Sequence, residues 1–324
     1  MSPITVVGAG AFGTALAIAF ARGGAQVLLV ARDAAAAGEL QEHRENRRRL
    51  PGAALPELVS VSGNPDDRPA GGIAVLAVPA QANAPFAAAH RAALSRGPVV
   101  LAAKGIDLAS GQLLSQVVGQ ALPGAPLAVL SGPGFADEIA AGLPTALTLA
   151  APRDGLGEEL QAALSTHALR LYRSTDMTGV QLGGALKNVV AIACGICSGA
   201  GLGESARAAL MTRGFAEMVR LGQAMGARAE SFQGLSGFGD LALTASSEKS
   251  RNYAAGRRIG QGQAIAGGVT VEGLDTARAA VTLARAQGVE MPVAAATVAV
   301  LDQKLSLREA MDALLRRPLR TEED

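Results

Sequence analysis

The strongest constraint on what this chain can fold into lies at its N-terminus. Residues 3 to 7, PITVV, read as a short buried strand, and Gly8-Ala9-Gly10-Ala11-Phe12-Gly13 follows as a turn. TALAIAFAR then carries a helical period closed by Gly23-Gly24, and QVLLVAR supplies a second strand. A strand, a glycine turn, a helix and a strand in that order form the opening unit of a parallel sheet, and only this context gives a G-x-G-x-x-G spacing its weight. Gly8 frees the turn, Gly10 lets an anion approach main-chain amides, and Gly13 lets the helix lie against its strand. The helix N-terminus offers its partial positive charge to a pyrophosphate.

Further apolar strands are expected at 73 to 79, 98 to 105, 127 to 134 and 145 to 152, separated by alanine-rich helical stretches. Strands alternating with helices imply an α/β fold with a doubly wound, Rossmann-type parallel sheet. After about residue 178 the strand pattern ends and alanine-rich helical segments take over. The expected organisation is a dinucleotide-binding domain over residues 1–178 and an all-helical substrate-binding domain over 179–324.

Composition excludes several other classes. The 29 Lys plus Arg balance 28 Asp plus Glu, so no general attraction to nucleic acid or to an anionic membrane is expected. The run ENRRR, ending at Arg49, reads as a solvated helix end, and aromatics make up only 3% of the chain. No stretch offers roughly 18 uninterrupted apolar residues, and no basic region precedes an apolar N-terminal segment, so a soluble, cytoplasmic protein is expected. Cys194 and Cys197 form a lone C-x-x-C without a nearby histidine cluster, since His43, His90 and His167 are scattered. No metal is expected.

The second strand ends at Arg32-Asp33, where an acid favours a free adenosine ribose and an arginine accommodates a 2′-phosphate. Arg32 favours NADPH over NADH, while Asp33 could serve the ribose hydroxyl or cap the following helix. Chemistry-bearing residues also stand at strand ends, where open α/β sheets place their ligands: Lys104 in AAKGI and Gly132 in LSGPGFADEIA. In the helical half, Asp240 lies in a glycine-rich turn, and Ser250-Arg251-Asn252 combines a guanidinium suited to a phosphate dianion with two hydrogen-bonding groups. The segment GGALKNVVAIACGICSGAGLG, residues 183 to 203, holds Lys187 within an otherwise apolar, glycine-broken run. An ammonium in such a place either escapes to water or has work inside.

With these residues in view, the chain resembles the bacterial NAD(P)-dependent glycerol-3-phosphate dehydrogenases over essentially its whole length. GAGAFGTALA, AVPAQ, AAKGI, LSGPGFADEIA, ALKNVVAI, GLGESARAALMTRG, GLSGFGDLALT and SEKSRN are similar to that family's motifs, in its order and spacing. The resemblance implies reversible reduction of dihydroxyacetone phosphate to sn-glycerol 3-phosphate, feeding phospholipid synthesis, with Lys187 as the proton-transfer lysine. A free lysine titrates at about 10.4, so burial and a like charge such as Lys104 are expected to lower Lys187. Asp240 is expected to orient it.

By the same resemblance Lys104, Gly132, Lys187, Asp240, Ser250, Arg251 and Asn252 bind substrate. Gly8, Gly10, Ala11, Phe12, Gly13, Arg32, Lys104, Ala136, Arg251 and Glu272 fall at cofactor positions. A homodimer is implied. Three residues depart from the family pattern: Gly134 stands for a hydroxyl residue, Arg49 for a cofactor-contacting Tyr, and Ser205 for Asn. The competing readings are a related hydroxyacid or hydroxymethyl dehydrogenase, whose unphosphorylated substrate would leave Arg251 and Asn252 idle, and a non-catalytic NADP-binding sensor.

Overall fold

The computed structural model describes residues 2–264 and 272–316. Its eight strands are β1 (Ile4–Val7), β2 (Val27–Val30), β3 (Val59–Ser62), β4 (Ile73–Leu76), β5 (Val99–Leu101), β6 (Leu127–Ser131), β7 (Thr145–Ala150) and β8 (Leu169–Ser174). They form one sheet in the order β3-β2-β1-β4-β5-β6-β7-β8. Every pairing is parallel except β6 with β7.

Successive residues of the central strands feed opposite faces. Ile73 and Val75 of β4 enter one core cluster with the helices Ala11–Arg22 and Asp154–Leu164. Ala74 and Leu76 enter the other, with the helices Asn83–Ala89 and Leu114–Ala121. A strand apolar on both sides needs a helical layer on each, which is why these segments read as continuous apolar runs.

The structure adds three features to the expected sheet. Strands β3 (VSVS) and β8 (LRLYRS) were not anticipated, because both lie at sheet edges and alternate apolar with polar residues. The β4 and β5 segments stop at Leu76 and Leu101, and the residues expected to continue them form loops beyond the strand ends. The expected all-parallel sheet gives way at β7, which runs antiparallel to β6. The helix between them, Ala136–Ala141, has only 6 residues and rises about 9 Å, too little to return the chain along a strand of about 20 Å. The chain therefore re-enters the sheet from the same end.

Beyond β8, all regular structure among the described residues is helical. The chain divides into two compact units, one of Met1–Gly184 with Ala227–Asp240, the other of Ala185–Gly226 with Leu241–Asp324. Within the second unit, the later part of the helix Met177–Gly199 and the helix Arg251–Gly260 meet backbone to backbone. A methyl group on Gly256 would overlap the Ile192 carbonyl and come within 3.0 Å of the Ile196 nitrogen, and one on Gly195 would overlap the Tyr253 carbonyl. Gly199 and Gly260 repeat this one turn further along. Two of the glycines that break the apolar run, Gly195 and Gly199, are thus the surface on which a second helix sits. Among the described residues, Met177–Gly199 alone is long and apolar enough to cross a membrane, with mean hydropathy 1.5, and its 18-residue stretch is wholly buried in the protein.

Candidate active site

In the first unit the glycine turn joins β1 to the helix Ala11–Arg22. Gly8 has φ +105°, and a methyl group there would come within 2.8 Å of the Ala77 carbonyl oxygen. One on Gly13 would overlap the Gly8 carbonyl and press on Ala77 at 3.0 Å. These two glycines are required by close approach, whereas a methyl group on Gly10 would meet nothing within 4 Å. That open space lies at the start of a helix with no side-chain cap and no acid in its first turn. Free amides, a favourable dipole and open space beside Gly10 fit a dinucleotide pyrophosphate. Phe12 is half-buried against the core, as is Ala136 at the start of its own helix.

Arg32 follows β2 with its side chain 90% exposed, and its Nε donates to Asp33 Oδ2 at 3.2 Å. Asp33 caps the helix Ala34–His43, its Oδ1 accepting from the Ala36 amide at 2.8 Å. The Ala36 amide, then the Arg32 guanidinium, holds the Asp33 carboxyl below its usual range. Of the two roles open to Asp33, capping is the one seen.

The same unit gathers Lys104, Gly132 and Asp240. The Lys104 ammonium donates to the Gly132 carbonyl at 2.9 Å and to Asp240 Oδ2 at 2.6 Å. Asp240 is buried at 1% exposure, directly after a π-helical turn, Leu235–Gly239. An ammonium has three donors, so one remains for a ligand. Gly134 has less room than its lack of a side chain implies, because a methyl group there would lie 3.0 Å from Ile139 Cδ1 and 3.3 Å from Thr145 Cγ2.

In the second unit Lys187 is 6% exposed, and its Nζ donates to Thr244 Oγ1 at 2.6 Å. Ser250 caps the helix Arg251–Gly260 by accepting from the Tyr253 amide. Asn252 gives one amide hydrogen to Asn188 Oδ1 at 2.8 Å and accepts from the Gly273 amide at 3.2 Å. Its second amide hydrogen is left for a ligand. Arg251 begins the helix. Glu272 begins the helix Glu272–Ala286, and its side chain lies outside the described residues.

Sequence reasoning missed Thr244 and Asn188 as partners. Asn188 is flagged only by adjacency to Lys187, and Thr244 only by standing one turn after Asp240. Arg49 and Ser205 are exposed. Cys194 and Cys197 are buried free thiols, and burial pushes Cys194 up to about 12.

A doubly wound sheet with an open glycine turn, followed by a helical unit holding a buried lysine, defines a dinucleotide-dependent dehydrogenase of the two-unit class. The model of the NAD-dependent glycerol-3-phosphate dehydrogenase N-terminus matches residues 3–156, and that of its C-terminus matches residues 176–312. The chain belongs to that family. It is 53% identical over 319 residues to a glycerol-3-phosphate dehydrogenase, NAD(P)+, of Ruegeria sp. (strain TM1040), covering 98% of this chain and 99% of that protein. It is 51% identical over 328 residues to the protein of the same name from Methylobacterium radiotolerans, covering 100% and 99%. Among solved structures, glycerol-3-phosphate dehydrogenase from Coxiella burnetii matches with a TM-score of 0.91 at 35% identity, covering 98% of this chain and 99% of that one.

Proposed function

We propose that this chain reversibly reduces dihydroxyacetone phosphate to sn-glycerol 3-phosphate with NADPH or NADH. When bound, the nicotinamide supplies hydride to C2 of the three-carbon substrate and takes it back in the reverse direction. Lys187 handles the proton. As the ammonium it protonates the C2 oxygen while the carbonyl becomes an alkoxide, and as the amine it accepts the proton of the C2 hydroxyl during oxidation. The observation that carries this reading is the burial of Lys187 at 6% exposure with its Nζ on the Thr244 hydroxyl, in a chain of this family.

Lys104 binds substrate with its third donor, steadied by Gly132 and Asp240, and Asp240 belongs to the substrate site with it. Ser250, Arg251 and Asn252 hold the phosphate, with the guanidinium fork matching the dianion. Gly8, Gly10, Ala11, Phe12 and Gly13 receive the pyrophosphate. Arg32 meets the adenosine 2′-phosphate, which favours NADPH, and Ala136, Arg251 and Glu272 complete the cofactor contacts. Residues 1–178 supply most of the dinucleotide contacts and residues 179–324 most of the substrate contacts. The enzyme works in the cytoplasm as a homodimer and feeds phospholipid synthesis.

The test mixes purified protein with NADPH and follows cofactor absorbance on dihydroxyacetone phosphate, dihydroxyacetone or a 3-keto acid. Turnover is expected only with the phosphate, and Lys187→Met should remove it while NADPH still binds. Cofactor binding without turnover of any ketone, or a preference for the keto acid, would overturn the reading.

A further inference from the structure

A turn built from Gly8, Gly10 and Gly13 is free to adopt many conformations, and in only some do its amides converge on one anion. Its first strand-side bond, from the Gly8 amide to the Val30 carbonyl at 2.9 Å, and its first helical bond, from the Thr14 amide to the Gly10 carbonyl at 2.9 Å, leave the Ala9 carbonyl between them without a main-chain donor, while the Ala9 side chain packs on the core. A restraint on that carbonyl comes from Asn46, more than thirty residues further along the chain. Its Nδ2 donates to the Ala9 carbonyl at 2.9 Å and to Thr14 Oγ1 at 2.8 Å. One amide group thus ties the apex of the turn to the first turn of its helix.

Asn46 is itself held. It is 5% exposed, its Oδ1 accepts from the Arg49 amide at 3.2 Å, and its carbonyl accepts from the Leu50 amide at 2.8 Å. Leu50 is buried in the same core cluster as the helix Ala11–Arg22. Asn46 belongs to the run ENRRR, which the sequence marks only as a basic, solvated stretch. Three exposed arginines, Arg47, Arg48 and Arg49, follow a buried neutral amide. A carboxylate at this position could not donate to Ala9 and would set negative charge beside an anion site.

We infer that Asn46 is a positioning residue for the dinucleotide: it holds the glycine turn in its anion-receiving conformation before the cofactor arrives. This rests on the dinucleotide-binding reading of the turn given above. Ordering the turn in advance removes an entropic cost from binding, so its loss should appear in cofactor affinity rather than in proton transfer or substrate affinity.

The test compares wild type with Asn46→Asp, which keeps the shape but replaces the donating amide with an acceptor-only carboxylate, by titrating NADPH fluorescence without ketone. Thermal unfolding is followed in parallel. A rise of about tenfold in the NADPH Kd is expected, with the KM for dihydroxyacetone phosphate at saturating NADPH within about twofold of wild type. Thr14→Val, which removes one acceptor without changing shape, keeps the test open if Asn46→Asp does not fold; it should raise the Kd severalfold. An NADPH Kd unchanged in a folded variant, or parallel rises in NADPH Kd and substrate KM, would overturn the inference. Failure of the proposed reaction is separable, since a wild type that binds NADPH but reduces no ketone leaves the binding comparison intact. A wild type that binds no dinucleotide overturns both.

Discussion

Lys187 and Thr244 are joined by a 2.6 Å hydrogen bond between an ammonium and a hydroxyl that are both buried, and the two residues come from helices 57 positions apart in the chain. A lysine so enclosed has few rotamers, and the Thr244 hydroxyl is one of the groups that hold it.

Thr244→Val should therefore lower kcat by about 10- to 100-fold, at most the low end of what positioned acid–base groups contribute, while leaving the KM for dihydroxyacetone phosphate nearly unchanged. Thr244→Ser restores the hydroxyl and should recover most of the rate. Steady-state kinetics on the three proteins check this, and a Val variant with wild-type kcat would show that the bond does not orient the amine.

The pair Lys104 and Asp240, 2.6 Å apart with side chains 18% and 2% exposed, should be strongly coupled. In a double-mutant cycle with Lys104→Met and Asp240→Asn, urea unfolding should give an interaction of about 1–3 kcal/mol. Additive effects would mean that the two groups ignore each other.

Alanine is a better helix former than glycine by about 1 kcal/mol, so Gly38→Ala, where the added methyl meets nothing within 4 Å, should stabilise by up to that amount. Gly256→Ala carries the same propensity gain but pushes a methyl group into the Ile192 carbonyl and to 3.0 Å from the Ile196 nitrogen. Overpacking of this kind costs about 1–3 kcal/mol, which outweighs the gain. Thermal unfolding should move in opposite directions for the two variants, and kcat should fall only for Gly256→Ala, because its helix starts with Arg251 and Asn252.

Arg68, 2% exposed, donates to the carbonyls of Ala93, Leu94, Gly72 and Pro98, tying the loop before β4 to the segment leading into β5. Burial pulls its guanidinium down to about 10, so it remains a cation at neutral pH. Arg68→Met leaves those oxygens without the donor and should cost about 3 kcal/mol or more by urea denaturation.

Cys194 should be chemically silent in the native protein. Burial pushes its thiol from 9.0 up to about 12, and only the thiolate is nucleophilic. Iodoacetamide labelling of Cys194 should stay negligible from pH 7 to 9.5, whereas in urea both cysteines of the chain should be labelled. Because the folded value lies above the unfolded one, this group's contribution to stability is complete below 9.0 and is lost as pH rises from there toward 12. Peptide mapping of the labelled sites checks the first statement, and unfolding midpoints across that window check the second.

By itself the sequence determined the strand, glycine turn and helix of the opening unit, the order of the central strands along the chain, the helical second half and the family. These follow from short-range regularities: apolar periodicity, and the backbone freedom of glycine at fixed spacing. Edge strands β3 and β8 were fainter because one face of each is polar, and the reversal at β7 depends on how far a short helix can carry the chain. The tertiary structure alone decided which distant groups meet: Asp240 with Lys104 across 136 positions, Thr244 with Lys187, Asn46 with the glycine turn, and two glycine-bearing helices back to back. The physical reason is range. Periodicity and turn chemistry act over a few residues, whereas a hydrogen bond between remote side chains exists only after the core has brought their backbones together, and a single sequence carries no local mark of that encounter.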